Sequence, residues 1–258
     1  MSNAIGWCDR TVNPVFGCRN GCSYCYARAL APRVAAMRAA ATGQPVCEDC
    51  RTFTPHLHPE RLKDIGKGRG QVVFIGSMCD LWGDGVERWW RGRIWCEVPD
   101  APNQYVVLTK RPERIEKQRE TVLGREIALE WPENLWLGTS ITGEFPRAVD
   151  QFRINSLRDC VPPSRRVVSV EPLLGSVLDI LETWQRIAAW LIVGPQTGPG
   201  AVPPQREWVA ELISYADETG TPLWLKSGCY DLWPDLPMRQ ERPAAMVAAC
   251  EAGRCATR

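Results

Sequence analysis

Three cysteines near the amino terminus have a spacing that suits a metal cluster. Cys18, Cys22 and Cys25 follow the pattern C-x3-C-x2-C, with Tyr24 directly before the last of them. Three neighbouring thiolates can bind three irons of a [4Fe–4S] cluster, whereas a cluster that only transfers electrons normally has four cysteine ligands. The fourth iron would be open to a substrate or cofactor, like the open position of a catalytic zinc. Zinc binding and chance spacing are the alternatives, although structural zinc sites favour two C-x2-C pairs.

A second group of metal-binding residue types lies between residues 47 and 58. Cys47 and Cys50 form a C-x2-C pair, and His56 and His58 are the 2 histidines of the chain. Such a set could form a tetrahedral zinc site, although zinc-binding histidines are usually three to five residues apart. A surface loop without metal is the alternative. Three further cysteines could contribute to an auxiliary cluster: Cys229, Cys250 and Cys255.

The composition excludes several classes of protein. The chain has 258 residues, 12 Cys and a formal net charge of +1, with 45% hydrophobic and 24% charged residues. These values are typical of a globular protein rather than a disordered chain or a small disulfide scaffold. No apolar run approaches the length of a membrane helix, and no basic-then-apolar leader is visible, so we expect a cytoplasmic protein without membrane contact. In a reducing compartment, clustered thiols usually bind metal instead of forming disulfides.

Short apolar runs without polar alternation recur along the chain, which is typical of parallel strands buried on both faces. The predicted strands are Thr11–Phe16, Gln71–Gly76, Gln104–Thr109, Leu135–Ser140, Arg166–Val170, Trp190–Gly194 and Pro222–Lys226. The predicted helices between them are Pro112–Leu123, Ala148–Arg158, Val177–Ala189 and Arg206–Thr219. This alternation predicts an α/β fold with a parallel sheet over residues 1–233. Residues 39–70 are predicted to be an insertion, and residues 234–258 a carboxyl-terminal tail.

Polar residues follow most of the predicted strands. In parallel α/β sheets the chemistry occurs at the carboxyl ends of the strands, where these residues would meet. The candidates are Ser77, Asp80, Lys110, Ser140 and Glu171. Helix caps and turn residues are the alternative interpretation of each one.

The chain also resembles a known group of enzymes. The similarity lies in the cysteine triad and in Asn13-Pro14, Ser77–Leu81, Leu108–Pro112, Leu137–Ser140, Ser169–Gly175 and Gly194–Gly200. These motifs resemble the radical S-adenosylmethionine (SAM) superfamily, and in particular a phage-associated family related to spore photoproduct lyase. The resemblance implies a partial TIM barrel of (β/α)6 type with an extra βα unit. It also implies that the open iron binds SAM and that a flavodoxin or ferredoxin supplies the electron that cleaves it to a 5′-deoxyadenosyl radical.

The same resemblance suggests roles for the strand-end residues in binding SAM. The segment from Ser77 to Asp80 would receive the methionine amino group, and Lys110 would pair with the carboxylate. Ser140 would contact the ribose, and Glu171 would contact the ribose or the substrate. These assignments come from the resemblance and not from spacing.

Two of the departures from the pattern of the resembled family bear on function. Cys79 stands where that family usually has serine. Because its S–H bond is weak, it could donate a hydrogen atom, and a cysteine has this role in spore photoproduct lyase. A small buried apolar residue is the alternative. Gly194 would let the backbone approach the adenine closely. Gln196 replaces a carboxylate of the family's glycine-rich motif, which suggests a different substrate.

The expected substrate is a nucleic-acid base or nucleotide. Arginine and tryptophan alternate in Arg88–Trp95, and Lys67–Gly70 is basic. Such mixtures can contact phosphates and stack on bases in DNA or RNA. The alternative is an amphipathic helix whose tryptophans pack on the barrel. Two other functions remain open: the same chemistry on a peptide or small metabolite, and a non-catalytic iron–sulfur or zinc protein that binds nucleic acid.

Overall fold

A computed structural model describes residues 5–98, 103–115, 119–122, 125–128, 132–183 and 187–255 of the chain. Its strands are β1 (Arg10–Val12), β2 (Val15–Phe16), β3 (His56–Leu57), β4 (Val72–Ile75), β5 (Gln104–Thr109), β6 (Arg119–Val122), β7 (Arg125–Ala128), β8 (Leu135–Ile141), β9 (Arg166–Val170), β10 (Trp190–Val193) and β11 (Leu223–Leu225). Its α-helices are α1 (Tyr26–Thr42), α2 (Glu48–Thr52), α3 (Arg88–Cys96), α4 (Ala148–Cys160), α5 (Leu178–Glu182), α6 (Arg206–Thr219), α7 (Ser227–Leu232) and α8 (Ala244–Cys255). Short 3-10 helices span Pro59–Asp64, Pro112–Arg114 and Pro163–Arg165.

The main sheet has seven parallel strands in the order β1-β4-β5-β8-β9-β10-β11. It curls into a half-barrel, so the α/β fold with a parallel sheet is confirmed in a form compatible with a partial TIM barrel. The register places Leu108 beside Gly138 and Ser140 beside Ser169, so the carboxyl ends of neighbouring strands meet at one edge. That edge is where side chains from different strands can form one site.

Alternate residues of the central strands face two different cores, as the period of two of a β-strand requires. Tyr105, Val107, Leu137 and Val168 belong to a core shared with the helices. The residues between them belong to a second core on the inner face of the half-barrel: Val106, Trp136, Val167, Trp190 and Ile192. The same alternation places four polar residues on the inner face, on the side of the second core: Lys110, Ser140, Ser169 and Glu171.

The inner core is closed by the two ends of the chain. Trp7 packs edge-on against Trp190 with their ring centroids 5.6 Å apart, and Met246 of α8 is fully buried in the same core. The guanidinium of Arg242 donates to the carbonyl oxygen of Trp7 at 3.2 Å, which ties the two ends together. The predicted tail therefore contains a helix that packs inside the half-barrel.

Several predicted elements differ from the structure. The predicted strand Thr11–Phe16 is two strands in different sheets, because Asn13-Pro14 interrupts the hydrogen-bonding pattern after β1. The predicted helix Pro112–Leu123 is wrong in the residues that the structure describes, where a 3-10 turn precedes the β6–β7 hairpin. Of the predicted helix Val177–Ala189, α5 covers Leu178–Glu182, and residues 184–186 lie outside the described residues.

No helix in the described residues has both the length and the apolar character that spanning a bilayer requires.

The inner core predicts a specific effect on stability. Replacing Met246 by alanine should lower the free energy of unfolding by about 2–5 kcal/mol, because Met246 is fully buried and its truncation leaves a cavity in the inner core. Val247, the next residue of α8, is 38% exposed, so Val247→Ala should cost less than about 1 kcal/mol. Urea denaturation measures both. Equal effects of the two substitutions would show that α8 does not close the half-barrel.

Candidate functional site

The cysteine triad lies in the loop between β2 and α1. Cys25 is the N-cap of α1, and its Sγ accepts a hydrogen bond from the main-chain NH of Arg28 at 3.4 Å. The Sγ of Cys18 accepts from the main-chain NH of Asn20 at 3.4 Å. Amide hydrogen bonds of this kind, and the amino end of a helix, stabilise thiolates and the metal clusters that they bind.

The electrostatic surroundings disfavour a free thiolate at Cys18. Burial raises the pKa of the Cys18 thiol to about 11, although the amide of Asn20 acts in the opposite direction. The negative charges of Asp80, Cys22 and Cys25 raise this pKa further. Three thiolates in this loop would therefore need a cationic partner to neutralise their charge.

The buried carboxylate of Asp80 connects the triad loop to the sheet. Asp80 is 5% exposed and its Oδ2 accepts from the side-chain amide of Asn20 at 2.8 Å and from the main-chain NH of Lys110 at 2.9 Å. Its Oδ1 accepts from the hydroxyl of Thr109 at 2.6 Å and from the main-chain NH of Trp82 at 3.1 Å. Four protein donors satisfy this carboxylate. Asp80 therefore orients the triad loop relative to the sheet.

Ser77 lies at a similar junction beside the triad. The side-chain nitrogen of Asn13 donates to the Ser77 hydroxyl at 3.0 Å. The side-chain oxygen of Asn13 accepts from the main-chain NH of Met78 at 2.9 Å. The hydroxyl of Tyr26, the residue after Cys25, donates to the carbonyl oxygen of Ser77 at 2.9 Å. The segment after β4 is therefore held against both ends of the triad loop.

Lys110 points from the end of β5 to the triad loop. Its Nζ donates to the hydroxyl of Tyr24 at 3.0 Å and lies 5.2 Å from the centre of the tyrosine ring. Burial lowers the pKa of the Lys110 ammonium, and the nearby Cys22 thiol acts against this shift. The main-chain oxygens of Lys110 and Ser140 both accept from the guanidinium of Arg153, at 3.2 and 3.4 Å.

An ion pair lies on the other side of the inner face. The ammonium of Lys226, after β11, pairs with the carboxylate of Glu171, which also accepts from the hydroxyl of Ser169 at 3.1 Å. A Cβ at Gly194 would lie 2.7 Å from the Glu171 carboxylate and 2.8 Å from the Lys226 side chain. The absence of a side chain at Gly194 thus leaves room for this ion pair. Burial and the charge of Glu171 raise the pKa of the Cys229 thiol to about 12.

Cys79 lies at the base of the triad loop. It forms a bridge with Gly17 and packs, partly buried, against the core that the helices share with the sheet. Its predicted role as a hydrogen-atom donor stays a prediction.

The second predicted metal group forms a compact cluster that could bind a metal such as zinc. The ligand atoms of Cys47, Cys50, His56 and His58 all lie within 4.8 Å of one another. The Nε2 atoms of the two histidines are 2.8 Å apart, and the Cys50 Sγ lies 3.4 and 3.3 Å from them. His56 is in β3 and His58 follows it, so alternation along an extended segment places both rings on one side. Two Cys and two His ligands without an open position are typical of a structural zinc site.

The other predicted features lie apart from these groups. In α3, Trp90 and Arg91 are buried, and Arg91 donates to the carbonyl oxygen of Leu81 at 3.0 Å, so much of this helix packs on the barrel. Lys67–Gly70 lies directly before β4, at the amino ends of the strands, whereas the triad lies near their carboxyl ends. Sequence reasoning missed the contributions of Asn13, Asn20 and Arg153, because hydrogen bonds between distant loops leave no local pattern.

The contacts of Asp80 generate a direct test of how the triad loop is held. Asp80→Asn should lower the free energy of unfolding by about 1–3 kcal/mol, because one carboxylate oxygen becomes a donor that faces other donors. Hydrogen exchange of the amides of residues 18–25 should become faster. In the control Asp179→Asn, an exposed ion pair with Arg147 is lost, and the cost should stay below about 1 kcal/mol. Unchanged exchange in the triad loop of the Asp80 variant would contradict this role.

Comparison with known proteins corrects the resemblance described from the sequence. The family model described as "Protein of unknown function (DUF5131)" matches residues 2–245. No curated protein and no solved structure matches the chain. Membership of the radical SAM superfamily, and of the phage-associated family related to spore photoproduct lyase, is therefore a wrong prediction. Short motifs of cysteines and strand-end polar residues recur where similar folds position similar chemistry, so they do not establish a family. The chain belongs to the family "Protein of unknown function (DUF5131)".

Proposed function

We propose that this protein is an iron–sulfur enzyme in which Cys18, Cys22 and Cys25 bind a [4Fe–4S] cluster whose open iron binds SAM. The main support is the position of the triad at the carboxyl edge of a half-barrel, beside the inward-facing ammonium of Lys110. This proposal rests on the chemistry of these residues and not on family membership.

The residue types of the triad loop suit a cluster. The motif offers three thiolates and no fourth cysteine, which fits a four-iron cluster with one open iron. Backbone amides already donate to two of the three sulfurs, as is common for cluster ligands.

One unpartnered atom indicates where a polar ligand would bind. The side-chain oxygen of Asn20 is buried without a hydrogen-bond partner, although the amide nitrogen of the same side chain donates to Asp80. A buried acceptor without a partner costs about 1–3 kcal/mol. The amino group of the methionine part of SAM would supply the missing donor.

A reduced cluster of this kind, when bound, supplies the electron that cleaves SAM to methionine and a 5′-deoxyadenosyl radical, which abstracts a hydrogen atom from a substrate. A flavodoxin or ferredoxin is the proposed source of the electron. The residues of the chain bind and orient the reactants. Lys110 would pair with the SAM carboxylate, Ser140 and Glu171 would contact the ribose, and Gly194 would border the adenine. Asp80 and Ser77 would hold the triad loop in position.

A nucleic-acid base or nucleotide is the substrate that we propose. The loop after β8 lies at the same edge as the triad, because Arg153 of α4 contacts the ends of both β5 and β8. Phe145 in this loop is 90% exposed, and Phe152 of α4 is 55% exposed. Exposed aromatic rings beside arginines are suited to stacking on the bases of a single strand, or on a base that has been flipped out of a duplex.

The cluster and the cleavage of SAM are tested together. After anaerobic reconstitution with iron and sulfide, the reduced wild-type protein should convert SAM to 5′-deoxyadenosine and methionine. Cys18→Ala, Cys22→Ala and Cys25→Ala should reduce this conversion to the level measured without protein, because a cluster with two ligands is not retained. The exposed Cys96 provides the matched control, and Cys96→Ala should behave as wild type.

Two results would contradict the enzyme proposal. One is a wild-type protein that binds iron but forms no 5′-deoxyadenosine when reduced, which would favour a non-catalytic metalloprotein. The other is equal activity of the triad variants and wild type.

The substrate class has its own test. Phe145→Ala should weaken the binding of single-stranded DNA or RNA oligonucleotides by about 10-fold or more, because a stacked base contributes about 1–3 kcal/mol. Met238 is 67% exposed outside this loop, and Met238→Ala should leave the affinity unchanged. Fluorescence anisotropy at two salt concentrations measures both the affinity and its electrostatic part. Absence of binding by wild type, with activity on a peptide or small metabolite, would contradict a nucleic-acid substrate.

A further inference from the structure

The Cys2His2 cluster and the cysteine triad are parts of one small structural unit. β2 runs directly into the triad loop and pairs antiparallel with β3, which aligns Phe16 with His56. The main-chain NH of Cys18 donates to the carbonyl oxygen of Phe53 at 3.2 Å. The first cysteine of the triad is therefore hydrogen-bonded to the segment between the two cysteines and the two histidines of the other group.

Gly17 makes this contact especially close. Its φ is +96°, and a Cβ at this position would lie 2.3 Å from the carbonyl oxygen of Thr54. The backbones of the triad loop and of the Cys2His2 segment therefore touch with no space for a side chain between them. A shift of Thr54 would have to move Gly17, and with it Cys18.

The side chains of the two groups also share a core. Phe16, Phe53 and Cys50 are buried together with alanines of α1, and Cys18, Cys25 and Cys47 pack against them. The rings of Phe16 and Phe53 meet edge-on with their centroids 5.7 Å apart. This core is small and lies outside the two cores of the half-barrel.

The elements that surround the Cys2His2 cluster are too short to be stable alone. α2 has 5 residues and β3 has 2 residues. Isolated helices shorter than about 12 residues and isolated two-stranded hairpins are marginal in water. Small domains of this kind commonly fold around a metal ion, whose binding energy becomes folding energy.

The hydrogen bonds of both histidines prepare them to bind a metal. The Nδ1 of His56 lies 2.8 Å from the carbonyl oxygen of Thr54, which can only accept, so this nitrogen must carry the proton. The Nδ1 of His58 lies 3.1 Å from a carboxylate oxygen of Glu60. With the proton on Nδ1, each ring directs an unprotonated Nε2 towards the two cysteines. Carboxylate or carbonyl partners on the far nitrogen are the usual surroundings of zinc-bound histidines.

We propose that Cys47, Cys50, His56 and His58 bind a structural zinc ion that fixes the conformation of the cysteine triad loop. Four protein ligands leave no open position, so the ion is structural and takes no part in turnover. Its effect passes through the Phe53–Cys18 hydrogen bond and the Gly17–Thr54 contact. The part that concerns iron rests on the proposed function, whereas the part that concerns zinc and the loop does not.

The first measurement is of zinc itself. Wild-type protein purified anaerobically should contain about one zinc per chain by elemental analysis, in keeping with one four-ligand site. Glu60→Gln replaces the carboxylate that lies beside His58, and that also pairs with Arg38, by a neutral amide, and should weaken zinc binding by about 10-fold or more in competition with a chelator. The matched control is Glu48→Gln, in the first turn of α2, whose exposed carboxylate pairs with Arg51 and should leave zinc binding unchanged. Wild-type protein without zinc, or equal effects of the two variants, would overturn the proposal.

The second measurement is of the loop. Removal of zinc from the wild-type protein with a chelator should accelerate hydrogen exchange at the amides of Gly17 and Cys18 by about 10-fold or more, with no change in β9. Added zinc should restore slow exchange, so the test does not depend on a variant that folds. Unchanged exchange at Gly17 and Cys18 in the zinc-free protein would overturn the coupling.

The amount of iron retained after reconstitution distinguishes the proposed function from the proposed zinc site. Zinc-free protein should retain several-fold less iron on reconstitution than zinc-loaded protein. A protein that binds zinc and shows the exchange change, yet retains no iron in either state, would contradict the proposed function and support the structural zinc. Equal iron retention in both states, with the exchange change present, would overturn the effect of zinc on the cluster.

Discussion

The position of the cysteine triad depends on one buried carboxylate. Asp80 accepts hydrogen bonds from the triad loop, from the end of β5 and from its own loop after β4. A buried charge is stable only when its hydrogen-bonding capacity is met, so these segments cannot move independently without a large cost. The alternation along β5 directs the Lys110 side chain inward, and the hydrogen bond from its main-chain NH to Asp80 fixes the point from which its ammonium reaches Tyr24.

A second constraint acts from the opposite side of the loop. The β2–β3 pair, the close approach of Gly17 to Thr54 and the core around Phe53 fix the amino-terminal part of the triad loop. The carboxyl-terminal part is fixed by α1, which begins at Tyr26 after its N-cap Cys25. The triad is thus supported by the half-barrel on one side and by the Cys2His2 segment on the other. Such support is what a metal site needs if its geometry is to be retained when the metal changes its charge.

The sequence predicted the buried strands well and the connections less well. The predicted strands Gln104–Thr109 and Arg166–Val170 and the predicted helix Arg206–Thr219 have the bounds that the structure gives to β5, β9 and α6. Continuous apolar runs and a strong amphipathic pattern define these elements locally. The helix predicted from Pro112 was wrong because its residues are also compatible with a turn and a hairpin, and local pattern does not distinguish them.

The candidate site was predictable to a similar extent. The spacing of the cysteines and the location of polar residues at strand ends were visible in the sequence. The orientation of His56 and His58 was not, because the usual spacing rule assumes a helix, whereas an extended segment aligns residues two apart. The contributions of Asn20 and Gly17 depend on contacts with residues more than 30 positions away in the chain, which no local pattern shows.

Mössbauer spectroscopy of the protein reconstituted with iron-57 shows whether the triad binds a cluster with one open iron. We expect a [4Fe–4S] spectrum in which one iron differs from the other three, with a shift of that component when SAM is added. A cluster whose irons are all equivalent and do not respond to SAM, or the absence of a four-iron cluster, would show that the triad does not bind a SAM-binding cluster.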